Sequence, residues 1–116
     1  MSALKTTPTS HEHAVVVELD GEIDIATAED FRAEITALAE TPGTHAILDC
    51  ERLSFIDSSG LRALIQCHKV AQQHSSQIAL AAATHRVAQI LHVTAIDRRI
   101  PVHATVADAL RSGGSA

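Results

Sequence analysis

The sequence has very few aromatic residues. Among its 116 residues there is no tryptophan and no tyrosine, and Phe31 and Phe55 are the two phenylalanines. A basic stripe with interleaved aromatic side chains is typical of nucleic-acid binding, but here 14 acidic residues outnumber nine lysines and arginines. We therefore expect no nucleic-acid partner, and a core built from valine, isoleucine, leucine and alanine.

Long apolar segments are also missing. No apolar run approaches the roughly 20 residues that span a bilayer, and residues 1–12 contain one lysine and no apolar stretch of the kind found in signal peptides. We therefore expect a cytoplasmic protein without a membrane span. The two cysteines, Cys50 and Cys67, are too few for a disulfide framework and are predicted to be buried free thiols.

Motifs for catalysis and cofactor binding are absent. The chain contains no P-loop, no dinucleotide-binding glycine pattern and no G-x-S-x-G nucleophile motif. His11 and His13 would lie on one side of an extended segment, but no further ligands are spaced to complete a metal site. His68 is interpreted as a core or boundary histidine of a helix. We therefore expect a protein that is not an enzyme and holds no cofactor or metal.

The length and the order of apolar patterns indicate one α/β domain. A chain of 116 residues can bury a single core without disulfides or metal. Strand-like segments alternate with helix-like ones, which favours a mixed, largely parallel sheet of four to five strands with about four helices. Residues 13–111 are predicted to form this domain, residues 1–12 a flexible terminus or an edge strand, and residues 112–116 a disordered tail.

The individual elements are predicted from periodicity and capping residues. Apolar residues alternate over residues 15–20, and Ile25 is expected to continue the apolar side into the next loop. Thr27 with Asp30 resembles a capping box for the first helix, and Thr84 is expected to cap the third. The other predicted strands are residues 45–50, 77–82 and 100–102, and a last helix covers residues 106–110.

A polar turn, Asp57-Ser58-Ser59-Gly60, lies between a strand and an amphipathic helix. Asp and Ser side chains accept hydrogen bonds from the unpaired amides of a helix start, so either Asp57 or Ser58 is the predicted cap. Gly60, which has no Cβ, lets another backbone or a partner approach the two hydroxyls. Because the helix buries an apolar stripe, the turn is expected to be fixed and yet accessible.

A phosphate on this turn would change the surface more than the fold. Helix amides and the helix dipole would stabilise it by roughly 0.3–1 kcal/mol. The added charge of about −1.5 to −2 beside Asp57 would repel a docked partner. In parallel sheets, sites gather at the carboxyl ends of strands. Asp24, Thr27 and Ser58 each follow a predicted strand, so one edge of the sheet can hold all three.

Charge is distributed unevenly along the chain. Residues 1–57 carry twelve acidic and three basic side chains, whereas residues 58–116 carry two acidic and six basic ones. The acidic half leads directly into the serine turn, which suits a partner with a basic docking face.

Several segments together resemble a known family. They are LSFIDSSGL at residues 53–61, GEID at 21–24, TA at 27–28 and IPVHATVADAL at 100–110. In these segments the chain is similar to STAS domains of the anti-sigma factor antagonist family, and the resemblance extends from about Val15 onward. It implies a binding protein whose partner is an anti-sigma factor with serine kinase activity.

The resemblance also implies how such a protein is regulated. Ser58, the first serine of the motif, is the implied phosphorylation site, and Ser59 in the same turn is the rival acceptor. The unphosphorylated protein binds the kinase and frees a sigma factor; the phosphorylated protein releases the kinase, and a separate serine phosphatase resets it. The predicted partner-binding residues are Asp24, Thr27, Asp57, Ser58, Ser59, Gly60, Leu61 and Arg62.

A second interpretation remains open. The chain is then a STAS subunit of a lipid-transport or stress-signalling assembly, in which the serine turn caps a helix and is never modified.

One departure from the family pattern bears on the fold. Family members usually have a glycine near the end of the third helix, where this chain has Ala95, and a left-handed helix cap is less favourable for alanine.

Overall fold

The computed structural model describes residues 3–113. The strands in this range are β1 (Leu4–Ser10), β2 (Val15–Ile23), β3 (His45–Ile56), β4 (Gln77–Ala81) and β5 (Val102–His103). The helices are α1 (Ala28–Ala39), α2 (Ser58–Gln73), α3 (His85–Val93) and α4 (Val106–Gly113), and a 3-10 turn, Ile96–Arg98, follows α3.

The five strands form one sheet in the order β1-β2-β3-β4-β5. β1 is antiparallel to β2, and the other neighbouring strands are parallel because helices connect them. The predicted α/β class, the mixed and largely parallel sheet and the number of helices are therefore confirmed. For the N-terminus, two alternatives were open, and the structure has the edge strand, in which Leu4 pairs with Gly21 and Ser10 with Val15.

Helices cover both faces of the sheet, but unequally. The larger core lies on the face covered by α1, α2 and α3 and is aliphatic except for Phe31, Cys50 and Cys67. The smaller core lies under α4, where Ala109 packs against Val16, Ile47 and Ala81. This composition agrees with the prediction of a core built mainly from valine, isoleucine, leucine and alanine. Val16 and Ile47 lie near the amino ends of β2 and β3, so α4 packs at those ends and not at the carboxyl ends of the two strands.

Two strands are longer than their apolar patterns suggest. β2 continues through Gly21 to Ile23, and β3 continues past Cys50 to Ile56. The pairing register between them shifts twice, at Glu18/Asp20 and at Gly21/Glu22. Such bulges change which side chains face the core, so the simple alternation that marks a strand is lost.

Ile25 does not continue the apolar side, contrary to the prediction. It follows the end of β2, and the residue is 84% exposed. The reason is geometric, because β2 ends at Ile23 and the chain turns away from the sheet before it enters α1.

The C-terminal elements also differ from the prediction. The last strand is Val102–His103 and not residues 100–102, and Ile100 is buried before it begins. Helix α4 runs to Gly113, so residues 112 and 113, predicted to be disordered, are helical. The rest of that predicted tail, residues 114–116, lies outside the described residues.

Both cysteines are free and buried, as predicted. Cys50 lies on β3 and Cys67 on α2, and both contribute to the larger core. Burial raises the pKa of each thiol to about 12. Because only the thiolate is a strong nucleophile, both side chains act as small apolar groups.

The left-handed cap after α3 is present although the residue is alanine. Ala95 has φ 62° and ψ 16°, and its N–H donates to the carbonyl of His92 at 3.0 Å. The side chain is exposed. Left-handed backbone costs a non-glycine residue about 1–2 kcal/mol, so this position holds local strain.

We predict that Ala95→Gly raises the free energy of unfolding by about 0.5–1 kcal/mol. Relief of the left-handed strain exceeds the extra entropy that glycine gives the unfolded chain, about 0.4–1 kcal/mol. Urea denaturation of both proteins measures the change. Ala88→Gly, inside α3, is the matched control and should lower stability by about 1 kcal/mol. A loss of stability in Ala95→Gly would contradict the strain.

Candidate functional site

The ends of β2 and β3 hold two loops side by side. Ile23 pairs with Ile56, the last residues of the two strands, and the N–H of Asp57 donates to the carbonyl of Ile23 at 3.1 Å. Neighbouring strands lie about 4.8 Å apart. The chain therefore leaves the sheet at Asp24 and at Asp57 as neighbours. We call the two loops, residues 24–27 and 57–60, the serine rim.

Asp57, and not Ser58, caps α2. The Asp57 backbone is extended, and its carboxylate accepts a hydrogen bond from the N–H of Gly60 at 3.1 Å. Ser58 is then the first helical residue, and its side chain is exposed, whereas Ser59 is half-buried. The hydroxyl of Ser58 is thus placed at the positive end of the helix without being needed to start it.

Gly60 is the buried residue of the serine rim. A Cβ at this position would lie 2.6 Å from the carbonyl oxygen of Ile23 and 2.7 Å from Cγ1 of Ile56. The missing side chain therefore lets the backbone of β2 approach α2. Close approach of another backbone is one of the two roles predicted for Gly60. Leu61 is half-buried against the larger core, and Arg62 is exposed one turn after Ser58.

Thr27 braces the other loop of the rim. Its hydroxyl donates to the carbonyl of Glu22 at 2.7 Å and accepts from the N–H of Asp24 at 3.0 Å. The Asp24 carboxylate accepts from the N–H of Ala26 at 3.0 Å. The predicted capping box with Asp30 is wrong, because this hydroxyl is used within the loop and makes no cap bond to α1.

Two surface residues of this region were not predicted. The guanidinium of Arg86, in the first turn of α3, lies 5.5 Å from the ring centre of Phe55, two residues before Asp57. Ile25 projects from the loop between Asp24 and Thr27. The rule that sites gather at the carboxyl ends of parallel strands could have found Arg86, since α3 starts just after β4.

The two loops of the rim contain two aspartates, three hydroxyl side chains, one isoleucine, one alanine and one glycine. Neither loop contains a histidine, so no imidazole base within them can activate a serine hydroxyl. Within residues 3–113, no three His, Cys, Asp or Glu side chains are grouped closely enough to hold a metal ion. Every helix in that range is too short or too polar to cross a membrane.

The chain belongs to the STAS domain family. The family model for the STAS domain matches residues 5–109, which include both loops of the serine rim. The resemblance inferred from the sequence is therefore confirmed.

Solved structures share the fold over almost the whole chain. An anti-sigma factor antagonist from Mycobacterium paratuberculosis is 27% identical, with 95% of this chain and 93% of that chain covered and a TM-score of 0.76. The Bacillus cell fate determinant SpoIIAA in its phosphorylated form is 22% identical, with coverages of 95% and 98% and a TM-score of 0.69.

The fold also occurs inside larger proteins. A murine anion transporter of the Solute Carrier 26 family is 21% identical, with a TM-score of 0.79, and the alignment covers 93% of this chain but 19% of the transporter. The fold alone therefore does not choose between a regulator and a subunit of a larger assembly.

We predict that Asp57→Ala lowers the free energy of unfolding by about 1 kcal/mol, within the 0.5–2 kcal/mol typical of a lost helix cap. Ser58→Ala is the matched control and should change stability by less than about 0.5 kcal/mol, because its side chain is exposed and does not cap the helix. Urea denaturation monitored by circular dichroism distinguishes the two variants. Equal losses would show that both side chains support the helix start.

Proposed function

We propose that this protein is an anti-sigma factor antagonist. Unphosphorylated, it binds an anti-sigma factor that is also a serine kinase, and a sigma factor is thereby freed. Phosphorylation of Ser58 ends that binding, and a serine phosphatase restores the unmodified form. The observation that carries the proposal is the exposed Ser58 hydroxyl at the first position of α2, beside an Asp57 that alone caps the helix.

The helix start can accommodate a phosphate. The first amides of α2 and the helix dipole favour an anion at Ser58. Arg62 lies four residues further on, the spacing at which side chains on one helix face can pair. The modification therefore leaves the domain folded, and its effect is felt by whatever docks on the rim.

The surroundings favour the loss of a partner on phosphorylation. Asp24 and Asp57 already place two carboxyl groups on the rim. A phosphoserine adds a charge of about −1.5 to −2 and considerable bulk in the middle of this surface. A partner held by close packing around an uncharged hydroxyl would then meet a charged and bulky group, and the added negative charge is costly to desolvate.

Ile25 provides the apolar part of the same surface. Ile25 projects from the serine rim and, at 84%, is the most exposed large apolar residue in the described part of the chain. Interfaces are typically anchored by a few such side chains surrounded by polar residues. We assign Ile25 as an apolar anchor for the partner, on the same rim as Asp24 and Ser58.

The solved relatives support the proposed role of anti-sigma factor antagonist. The structure at 27% identity is that of an anti-sigma factor antagonist. SpoIIAA, which shares the fold, is known in phosphorylated and unphosphorylated forms. The two SpoIIAA structures support a role in which one fold persists in two states of modification.

We predict that the cognate kinase and ATP add one phosphate to the wild type and to Ser59→Ala, and none to Ser58→Ala. Ser58 is the more exposed of the two hydroxyls, so it reaches the kinase site without local unfolding. Intact-mass measurement with peptide mapping locates the phosphate. Phosphate on Ser58→Ala, or its loss in Ser59→Ala alone, would move the assignment to Ser59.

We further predict that Ser58→Asp and Ile25→Ser each weaken kinase binding by at least about tenfold. The first adds charge to the rim, and the second removes the apolar anchor. Isothermal titration calorimetry with the purified kinase measures the affinities.

Two exposed positions away from the rim serve as controls. Ser75 lies beyond the last turn of α2, and Val93 lies at the end of α3. The Ser75→Asp and Val93→Ser variants should bind the kinase with an affinity within about twofold of that of the wild type. If Ser58→Asp bound as tightly as wild type and no phosphorylated form occurred in the native cells, the unmodified structural subunit would be the better description.

A further inference from the structure

A cavity of about 330 Å³ lies beside the edge of β4, at the other end of the domain from the serine rim. β5 pairs only with Leu80 and Ala81, so within the described chain no strand pairs with the outer edge of residues 77–79. The cavity occupies this gap, and its polar lining includes His45, His68, Gln72, Gln77, Arg99 and His103.

Four separate parts of the chain build the walls. His45 begins β3, His68 lies in the second half of α2, Arg99 follows the 3-10 turn, and His103 ends β5. Since β3 has 12 residues that rise about 3.3 Å each, His45 and Ser58 lie roughly 35 Å apart along the domain. The cavity is therefore distinct from the site proposed to bind the kinase.

The lining has one sign of charge. Its ionisable groups are one guanidinium and three imidazoles, and the lining contains no Asp or Glu, in a chain whose net charge is −5. Oxyanions accept hydrogen bonds and donate none, and guanidinium, imidazole N–H and amide groups are suitable donors. The lining thus supplies donors and positive charge without a competing carboxylate.

His45 is the most buried of the three imidazoles in the lining. It is 6% exposed, and its Nδ1 is buried without a hydrogen-bond partner. Burial lowers the pKa of both His45 and His68, and the neighbouring His103 and Arg99, respectively, lower them further.

We propose that this cavity binds a small molecule through an oxyanion, a phosphate or a carboxylate. Arg99 pairs with the anion, and the imidazoles of His45, His68 and His103 and the amides of Gln72 and Gln77 hold the rest of the polar part. The volume exceeds that of inorganic phosphate and lies at the lower end of the range for small-molecule pockets. The ligand therefore carries a further compact group beside its oxyanion.

The test is a titration of the full chain with inorganic phosphate, and in parallel with acetate, at pH 6.5 and constant ionic strength. Two-dimensional NMR follows the backbone amides and the imidazole ring signals. We expect saturable shifts at His45, His68 and His103, with the rim residues unchanged, and an increase in the pKa of His68 when the site is filled. Saturation by phosphate or by acetate identifies which oxyanion the site prefers.

A matched pair of arginine variants separates a site from general attraction. Arg99→Gln removes the guanidinium of the cavity and should weaken phosphate binding by at least about tenfold. Arg98→Gln removes an exposed neighbour outside the lining and should change it by less than about twofold. Both residues are exposed, so neither substitution endangers the fold. Shifts that do not saturate, or equal losses in the two variants, would overturn the proposal.

Discussion

The serine rim depends on the pairing of β2 with β3 up to the last residue of both strands. Ile23 and Ile56 are opposite each other, and the N–H of Asp57 bonds to the carbonyl of Ile23. This single contact fixes where both loops begin. Gly60 completes it, because only a residue without a Cβ leaves room for the Ile23 carbonyl against the first turn of α2.

The rim divides structural and surface roles between adjacent residues. Asp57 satisfies the helix start, and Thr27 ties its loop to the end of β2. Ser58 and Ile25 take no part in this bonding and are exposed. A modification of Ser58 would therefore act on binding without acting on folding, which is the separation that the proposed switch requires.

The sequence predicted the fold class and the serine turn, because both depend on local patterns. Alternating apolar residues identified β2, short apolar runs identified β3 and β4, and the Asp57 to Gly60 motif identified the helix start. It did not predict the full length of β3 or the exposure of Ile25, since bulges and a change of chain direction set these. The cavity could not be predicted at all, because His45, His68 and His103 meet only through the tertiary fold.

The burial of both cysteines has a practical consequence for work on this molecule. Cys50 and Cys67 are 1% and 0% exposed, and thiolate is scarce at neutral pH when the thiol pKa is about 12. Maleimide and iodoacetamide reagents therefore find no reactive native sulfur in the folded state. A cysteine introduced at the surface would be labelled alone, so fluorescent probes can be attached without first replacing the native residues.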